Sequence, residues 1–496
     1  MPSSPTPIRA MLLPACLLIA LAAAIVVPIV AIQLARPLPQ VERMRDFDDL
    51  RVPSEWADQA LFHRPLIHTM HEQWPAIEIV EYDSATAPGY HAMMATVLRI
   101  TGGSHDPDRR APIAPVLVLN LLIGLALVGA VYFFAAGAAG PWPAFFLCLP
   151  IATSKYILGA TAFLTTDNLA WLLIAIALGL ATFSRARPAH LLGAGLVVAG
   201  AVGVRQIMLW GAGPVVLAGL LASPLVRFVP RPLLNDPNAP ADDEDRPWKP
   251  LIFACIGSAI AFALLAVFVV LWGGLVPQAS EFVRIHAAGP NLATPAFLLA
   301  LTGACAVFFV PLIWPEFVGF LKRPLADLPA LVAIVLGAAS AILVKTAPTM
   351  DMPRDTQLWK ARAYGWLWEI ARRTPDVAER SLVIVAGAAT GALALLLLWR
   401  AARRAGYATN ALILLIALLA FACAQTMNTM AWQRYFEPIV LIALAWLGAI
   451  LWPSTWKQAS TLHRRVMLAG PTILATLLMA LSLLLLIRPM LQHWSA

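Results

Sequence analysis

The chain of 496 residues is 60% hydrophobic and only 12% charged, with a mean hydropathy of +0.76. That excludes an ordinary globular domain, in which charged residues make up about a quarter. The formal charge of +8 is scattered over short loops between apolar runs, which excludes a nucleic-acid-binding face and reads as the positive-inside bias of a membrane protein.

The composition therefore specifies an all-α polytopic membrane protein, with 1–496 as a single integral membrane domain. Its 40 prolines predict kinked, proline-started and re-entrant helices. Cys16, Cys148, Cys255, Cys305 and Cys423 all lie inside apolar runs, so no disulfide and no cysteine metal site is expected.

The first apolar run, 10–35, starts just after Arg9, contains Pro14 and Pro28, and is too long for a cleaved secretory segment. A polar, acid-rich segment, 36–87, follows. Further apolar runs lie at about 88–101, 113–136, 141–157, 167–183, 190–204, 206–223, 250–275, 295–320, 328–346, 382–399, 409–425, 437–452 and 467–487.

Basic clusters at 185–187, 322–323, 400–404 and up to Arg465 belong in the cytoplasm. Their positions agree with one another if the proline-bounded run 141–157 is re-entrant or partial, giving about 13 crossings. Segments 36–87, 157–167, 276–294, 347–381 and 426–436 are then external. The Pro- and Asp-rich stretch 224–249 reads as a flexible cytoplasmic loop without a catalytic role. The large first loop has no counterpart in the second half, so no inverted transporter repeat is evident.

Within the first loop, residues 57–74 have helical spacing, with Ala57, Leu61 and Pro65 on one side and Asp58, Phe62 and His63 close together. A short interfacial helix would hold the Asp58 carboxylate at the membrane boundary, where it could take a proton from a hydroxyl. Asp46, Asp48 and Asp49 are alternative bases.

Thr86 resembles an N-cap, and Pro88 lies in or near the first turn of the next helix. The free amides there offer an anion site or a well-capped helix start. Asp167 is positioned as an N-cap of the 167–183 run. Arg205 and Gln206 stand between two spans, where an arginine needs a partner, either a phosphate or a carboxylate such as Asp83 or Asp167. His63, His68, His71 and His91 fall in or beside one loop without a His-Glu-x-x-His pattern, so no metal is expected.

Phe62-His63-Arg64-Pro65, Tyr82-Asp83, Thr86-Ala87-Pro88-Gly89-Tyr90, Arg205-Gln206, Gly274-Leu275-Val276-Pro277 leading to His286, and Arg434-Tyr435-Phe436 with Pro438 occur in that order along most of the chain. This series resembles the GT-C superfamily of polyprenyl-phosphate-sugar-dependent glycosyltransferases, most closely the eukaryotic dolichyl-phosphoglucose α-1,2-glucosyltransferase family. The chain departs from it at Asp58-Gln59, where the family pattern has adjacent Asp and Glu.

The resemblance implies transfer of a hexose, with inversion, from a polyprenyl-phosphate donor to a hydroxyl of a lipid-linked or exported glycan. Asp58 would be the base. His63, Asp83, Thr86, Tyr90, Asp167, Arg205, Gln206, His286, Lys345, Arg434 and Tyr435 would bind substrate, with the cations gripping the phosphate. It implies no tightly bound cofactor; the partners would be the lipid bilayer, the lipid-linked sugar donor and the glycan or lipid acceptor. The alternative from another class is a transporter or flippase of a polar or lipid-linked substrate. The Ala/Leu/Arg-rich composition points to a bacterial inner membrane, with the site on its external face.

Overall fold

The computed structural model describes residues 8–35, 54–81, 83–102, 113–234, 246–277, 290–343, 365–428 and 430–495. It is an all-α bundle. Among the described residues the only strand pair is a two-residue hairpin, Asp376–Val377 against Arg380–Ser381, whose turn residues Ala378 and Glu379 are left-handed. Among the described residues, eight helical segments are long and apolar enough to cross a membrane, a ninth is formed if the bent pair described below counts as one span, and four shorter apolar helices, of 10–17 residues, accompany them.

Helix α1 (Ile8–Ala35) packs on α5 (Ala114–Ala139) and α6 (Pro141–Thr153). The polar loop contributes α2 (Ser54–Asp58), a π turn (Gln59–His63) and α3 (Arg64–Gln73), followed by α4 (Gly89–Ile100). The run 88–101 was expected to span, but α4 has 12 residues. At about 1.5 Å per residue it falls well short of the hydrocarbon thickness.

The expected irregularity at 141–157 is present. Helix α6 ends at Ser154, whose side chain caps α7 (Lys155–Ala162), and the two helices meet at 64°. The bundle continues through α8 (Asp167–Phe183), α9 (Pro188–Val204), a 3-10 segment (Gln206–Gly211), α10 (Ala212–Leu221), the short α11 (Arg231–Leu234) and α12 (Lys249–Trp272). Helix α12 packs along α9, while Ile252, Ile256, Ile260, Phe262 and Val270 remain exposed on it. Such a continuous apolar stripe is stable facing lipid.

The second half holds α13 (Thr294–Ala306), α14 (Trp314–Lys322), α15 (Leu328–Ile342), α16 (Trp366–Arg373), α17 (Leu382–Arg404), α18 (Ala408–Thr426), α19 (Gln433–Gln458), α20 (Thr461–Ser482) and α21 (Arg488–Ser495). The apolar window of α19 is wholly buried, making it the central post of the molecule. Helices α13 and α17 cross on Gly303, Gly387 and Gly391; a Cβ on Gly391 would meet the Leu299 carbonyl oxygen. The Gly387–Gly391 spacing is the small-xxx-small pattern that lets membrane helices approach at backbone distance.

Gly391→Val is therefore expected to pry α13 from α17 and cost about 1–3 kcal/mol. An unchanged thermal unfolding midpoint in detergent would refute that contact.

Candidate functional site

One helix runs from Ser54 to Gln73 and contains a π turn at Gln59–His63. The extra residue in that turn rotates the helix face, so the expected stripe does not continue: Ala57 is buried, Pro65 is exposed, and Ile67, Met70 and His71 face inward instead.

Two neighbours at the entry to that turn face different ways, as consecutive residues on a helix do, about 100° apart. Gln59 points into the bundle, where its Nε2 donates to Gln33 Oε1 at 2.9 Å and its Oε1 accepts from the Leu164 amide at 2.6 Å. Gln33 in turn donates to the Ala162 carbonyl. Gln59 thus ties α1 and the end of α7 to the loop helix. Asp58 points the other way, to an ion pair with Arg434.

Arg434 is the second residue of α19. Its Nη1 donates to Asp58 Oδ2, its Nη2 donates to the Tyr435 hydroxyl at 3.1 Å, and its Nε lies 3.9 Å from Asp167 Oδ2. The guanidinium carbon stands 4.2 Å from the Trp432 ring centroid and 5.1 Å from that of Tyr435. Arg434 Nε is buried and has no hydrogen-bond partner among the described residues.

Arg205 sits in extended backbone between α9 and the 3-10 segment, at φ −146°. The break in the helix frees its side chain to turn inward, where it pairs with Asp167 and lies 4.6 Å from the Tyr435 ring. The Asp58, Asp167, Arg205 and Arg434 side chains are 17%, 8%, 11% and 10% exposed. Two carboxylates and two guanidiniums with little access to water are stable only because they pair with one another. The N-terminal ends of α8 and α19 supply further positive potential here.

His63 borders the cluster. Its Nδ1 is 2.9 Å from His91 Nε2, and the two rings stack at 5.1 Å. Burial, then the charges of Arg434 and Arg205, push the His63 imidazole down to about 3. Because the unfolded imidazole titrates near 6.5, the unfolded chain binds the extra proton first. Stability associated with His63 is therefore complete above about pH 6.5 and declines as pH falls toward 3. His63→Gln should flatten this decline, recovering about 1–2 kcal/mol at pH 5 relative to the parent. Parallel pH-dependent melting curves for the two proteins would contradict it.

A second polar layer backs the first. Glu55, one turn before Asp58, pairs with Lys155 at 3.3 Å, both almost fully buried. Glu437, one turn after Arg434, accepts from Ser154 at 2.6 Å, from Gln433 at 2.7 Å and from the Trp366 indole at 2.9 Å. The Leu367 amide donates to Gln433 Oε1 at 3.0 Å, and Trp368 donates to the Ala431 carbonyl at 2.8 Å while stacking on Phe297. Trp366 and Trp368 thus fasten α16 to the start of α19 and the residues just before it. Neither Lys155 nor Glu437 is among the expected site residues, although each is an isolated charge inside an apolar run of the sequence, where an ionisable group needs a partner.

The other expected site residues fall elsewhere. Tyr90 is buried and donates to Asn120 Oδ1 at 2.9 Å; Asn120 Nδ2 donates to the carbonyls of Ala160, Thr161 and Phe163, so Tyr90 belongs to a structural hub. Gln206 donates to the Ala85 and Leu275 carbonyls, both at 2.8 Å, fixing the end of the first loop beside the end of α12.

Thr86 does not cap α4. Pro88 occupies the N-cap position, no side chain caps the helix, and Thr86 instead exchanges a hydrogen bond with Ser84, so the well-capped helix start is not what forms there. Asp83 is exposed, and the carboxylate on Arg205 is Asp167. Asp167 is the first residue of α8 and not its N-cap, which is Thr166. His286, Lys345, Asp46, Asp48 and Asp49 lie outside the described residues.

All five cysteines are free thiols. Among the described residues no three His, Cys, Asp or Glu side chains converge as metal ligands would. No family model, no curated protein and no solved structure matches this chain.

Proposed function

We propose that this integral membrane protein is a glycosyltransferase of GT-C type, moving a hexose from a polyprenyl-phosphate carrier to a hydroxyl of a lipid-linked or exported glycan. The observation that carries the reading is the meeting of Asp58, Arg434, Arg205, Asp167, Tyr435 and His63 at helix ends, bordering a polar loop. That set supplies a carboxylate base and two cations for a phosphate, in surroundings dry enough to make their interactions strong.

The motif series that resembles the GT-C superfamily supports the same reading. So does the separate engagement of Gln59, which leaves Asp58 as the carboxylate directed at the cations.

In the proposed reaction the Asp58 carboxylate takes the proton of the acceptor hydroxyl as its oxygen attacks the anomeric carbon from the face opposite the phosphate. The bond from that carbon to the phosphate oxygen breaks, and its electron pair stays on the phosphate, which Arg434 and Arg205 hold. Configuration inverts, and no general acid is needed because the phosphate leaves as a stabilised anion. The basic cluster at 185–187 follows the end of α8 opposite Asp167, and that at 464–465 lies beyond the end of α19 opposite Arg434, so the positive-inside bias would put this site on the external face, in this reading that of a bacterial inner membrane.

Membranes containing the protein, given a radiolabelled polyprenyl-phosphate hexose and a glycolipid acceptor fraction, should yield a labelled product of inverted anomeric configuration. Uptake of label into sealed vesicles without any transfer would replace the enzyme by a carrier.

A further inference from the structure

We propose that Asp58 is latched to Arg434 in the empty protein and becomes free to act as a base only when a lipid phosphate ester takes its place on the guanidinium. The inference rests on the proposed glycosyltransferase reading and concerns the order in which that site fills.

The charges at the site are balanced before any substrate arrives: Asp58 is on Arg434 and Asp167 on Arg205. Among the described residues a phosphate anion meets no guanidinium there without a carboxylate partner, so binding it on either arginine requires one carboxylate to give up its cation. Asp58 is the one placed to do so. It lies where α2 passes into a π turn, its side chain is 17% exposed against 8% for Asp167, and Arg434 is its hydrogen-bond partner. Asp167 is held in the first turn of α8 and lies near both arginines.

Arg434 is equally prepared for an incoming acceptor. Its buried Nε has no hydrogen-bond partner among the described residues and its Nη2 donates to the Tyr435 hydroxyl, so a phosphate oxygen that takes Nη1 displaces Asp58 and no other group.

The exchange conserves charge for a phosphodiester donor, since one monoanion replaces another. Asp58, released, then accepts the acceptor's hydroxyl proton as the new glycosidic bond forms. The bond from the anomeric carbon to oxygen breaks, and the lipid phosphate retains the electron pair on Arg434. After the phosphate leaves and Asp58 passes its proton to water, the ion pair reforms. The base is thereby withheld from any hydroxyl, water included, until a donor is seated.

Farnesyl phosphate, a short lipid monophosphate, is a suitable probe of the full-length protein in zwitterionic nanodiscs. Asp58→Asn, which removes the competing charge, should bind it about tenfold more tightly than the parent, whereas Glu72→Gln, at an exposed carboxylate of the same loop helix outside the cluster, should not change binding. Equal affinity of the parent and Asp58→Asn overturns the latch, as does equal tightening by Glu72→Gln, which would reduce the effect to net charge.

A second measurement needs no variant. In protein carrying isotope-labelled aspartate, the infrared difference spectrum on adding farnesyl phosphate should show a shifted carboxylate stretch, and a silent carboxylate region overturns the proposal. Inorganic phosphate in parallel separates the sources of the group: weaker binding of the free ion supports a lipid-borne phosphate, and equal binding overturns it. Binding of neither probe to any of the proteins defeats the underlying reading of the site, whereas binding unaffected by Asp58→Asn defeats the latch alone.

Discussion

Asp58→Asn is expected to lower sugar transfer by about 100- to 10,000-fold, the range associated with loss of a positioned general base. Asparagine is nearly isosteric, and its carbonyl oxygen can still accept from Arg434, so the helix from Ser54 to Gln73 should keep its place. What it cannot do is take a proton. The deficit should therefore appear in kcat, with the KM for the donor unchanged or lower, because the change removes a negative charge from the phosphate site. Initial rates with radiolabelled donor, over a range of donor concentrations, give both constants. Undiminished kcat would remove Asp58 as the base and direct the search to Asp46, Asp48 and Asp49.

Arg434→Met should be damaging in two separable ways. Loss of the cation that holds the leaving phosphate lowers transfer by about 100- to 1,000-fold. Loss of Asp58's partner strands a mostly buried carboxylate and costs about 3–5 kcal/mol of stability. The two are distinguished by adding Asp58→Asn to Arg434→Met: the double variant should regain much of the lost thermal stability and none of the activity. That non-additivity measures the coupling between the side chains. Additive losses of stability would show that the pair contributes nothing as a pair, and the account of the site given above would fall with it.

The helical, membrane-embedded character of the chain was legible because apolar run length is a direct consequence of bilayer thickness. The broken run at 141–157 was legible from its prolines and from the charge pattern around it. Helix α4 was not, since an apolar run of borderline length says nothing about whether it crosses or only leans on α3 and α9.

Within the site, Arg205 could be singled out because an ionisable residue beside an apolar span needs a partner, Asp167 by its place at a helix start, Asp58 by the helical spacing of the first loop, and Arg434 and Tyr435 by the motif series that resembles the GT-C superfamily. The pairing itself could not be read, because it joins residues hundreds of positions apart. Thr86 was misjudged for the opposite reason: its local sequence matches the grammar of a helix cap, but Ser84 two residues earlier competes for the same hydroxyl. The π turn is invisible to a 3.6-residue period, yet it decides that Pro65 faces out and Ile67, Met70 and His71 face in.

The ion pair between Asp58 and Arg434 spans 376 positions of sequence. At a synthesis rate of about 5–20 residues per second, its two halves are made roughly 20–75 seconds apart. Through that interval the first loop has been delivered beside the membrane while its cation does not yet exist. A somewhat shorter delay separates Ser154 from Glu437, which lie 283 positions apart. The site is thus among the last parts of the molecule to be completed during biosynthesis, and a chain arrested before α19 would carry two acidic side chains of the loop helix, Glu55 and Asp58, with only the first of them able to find its basic partner.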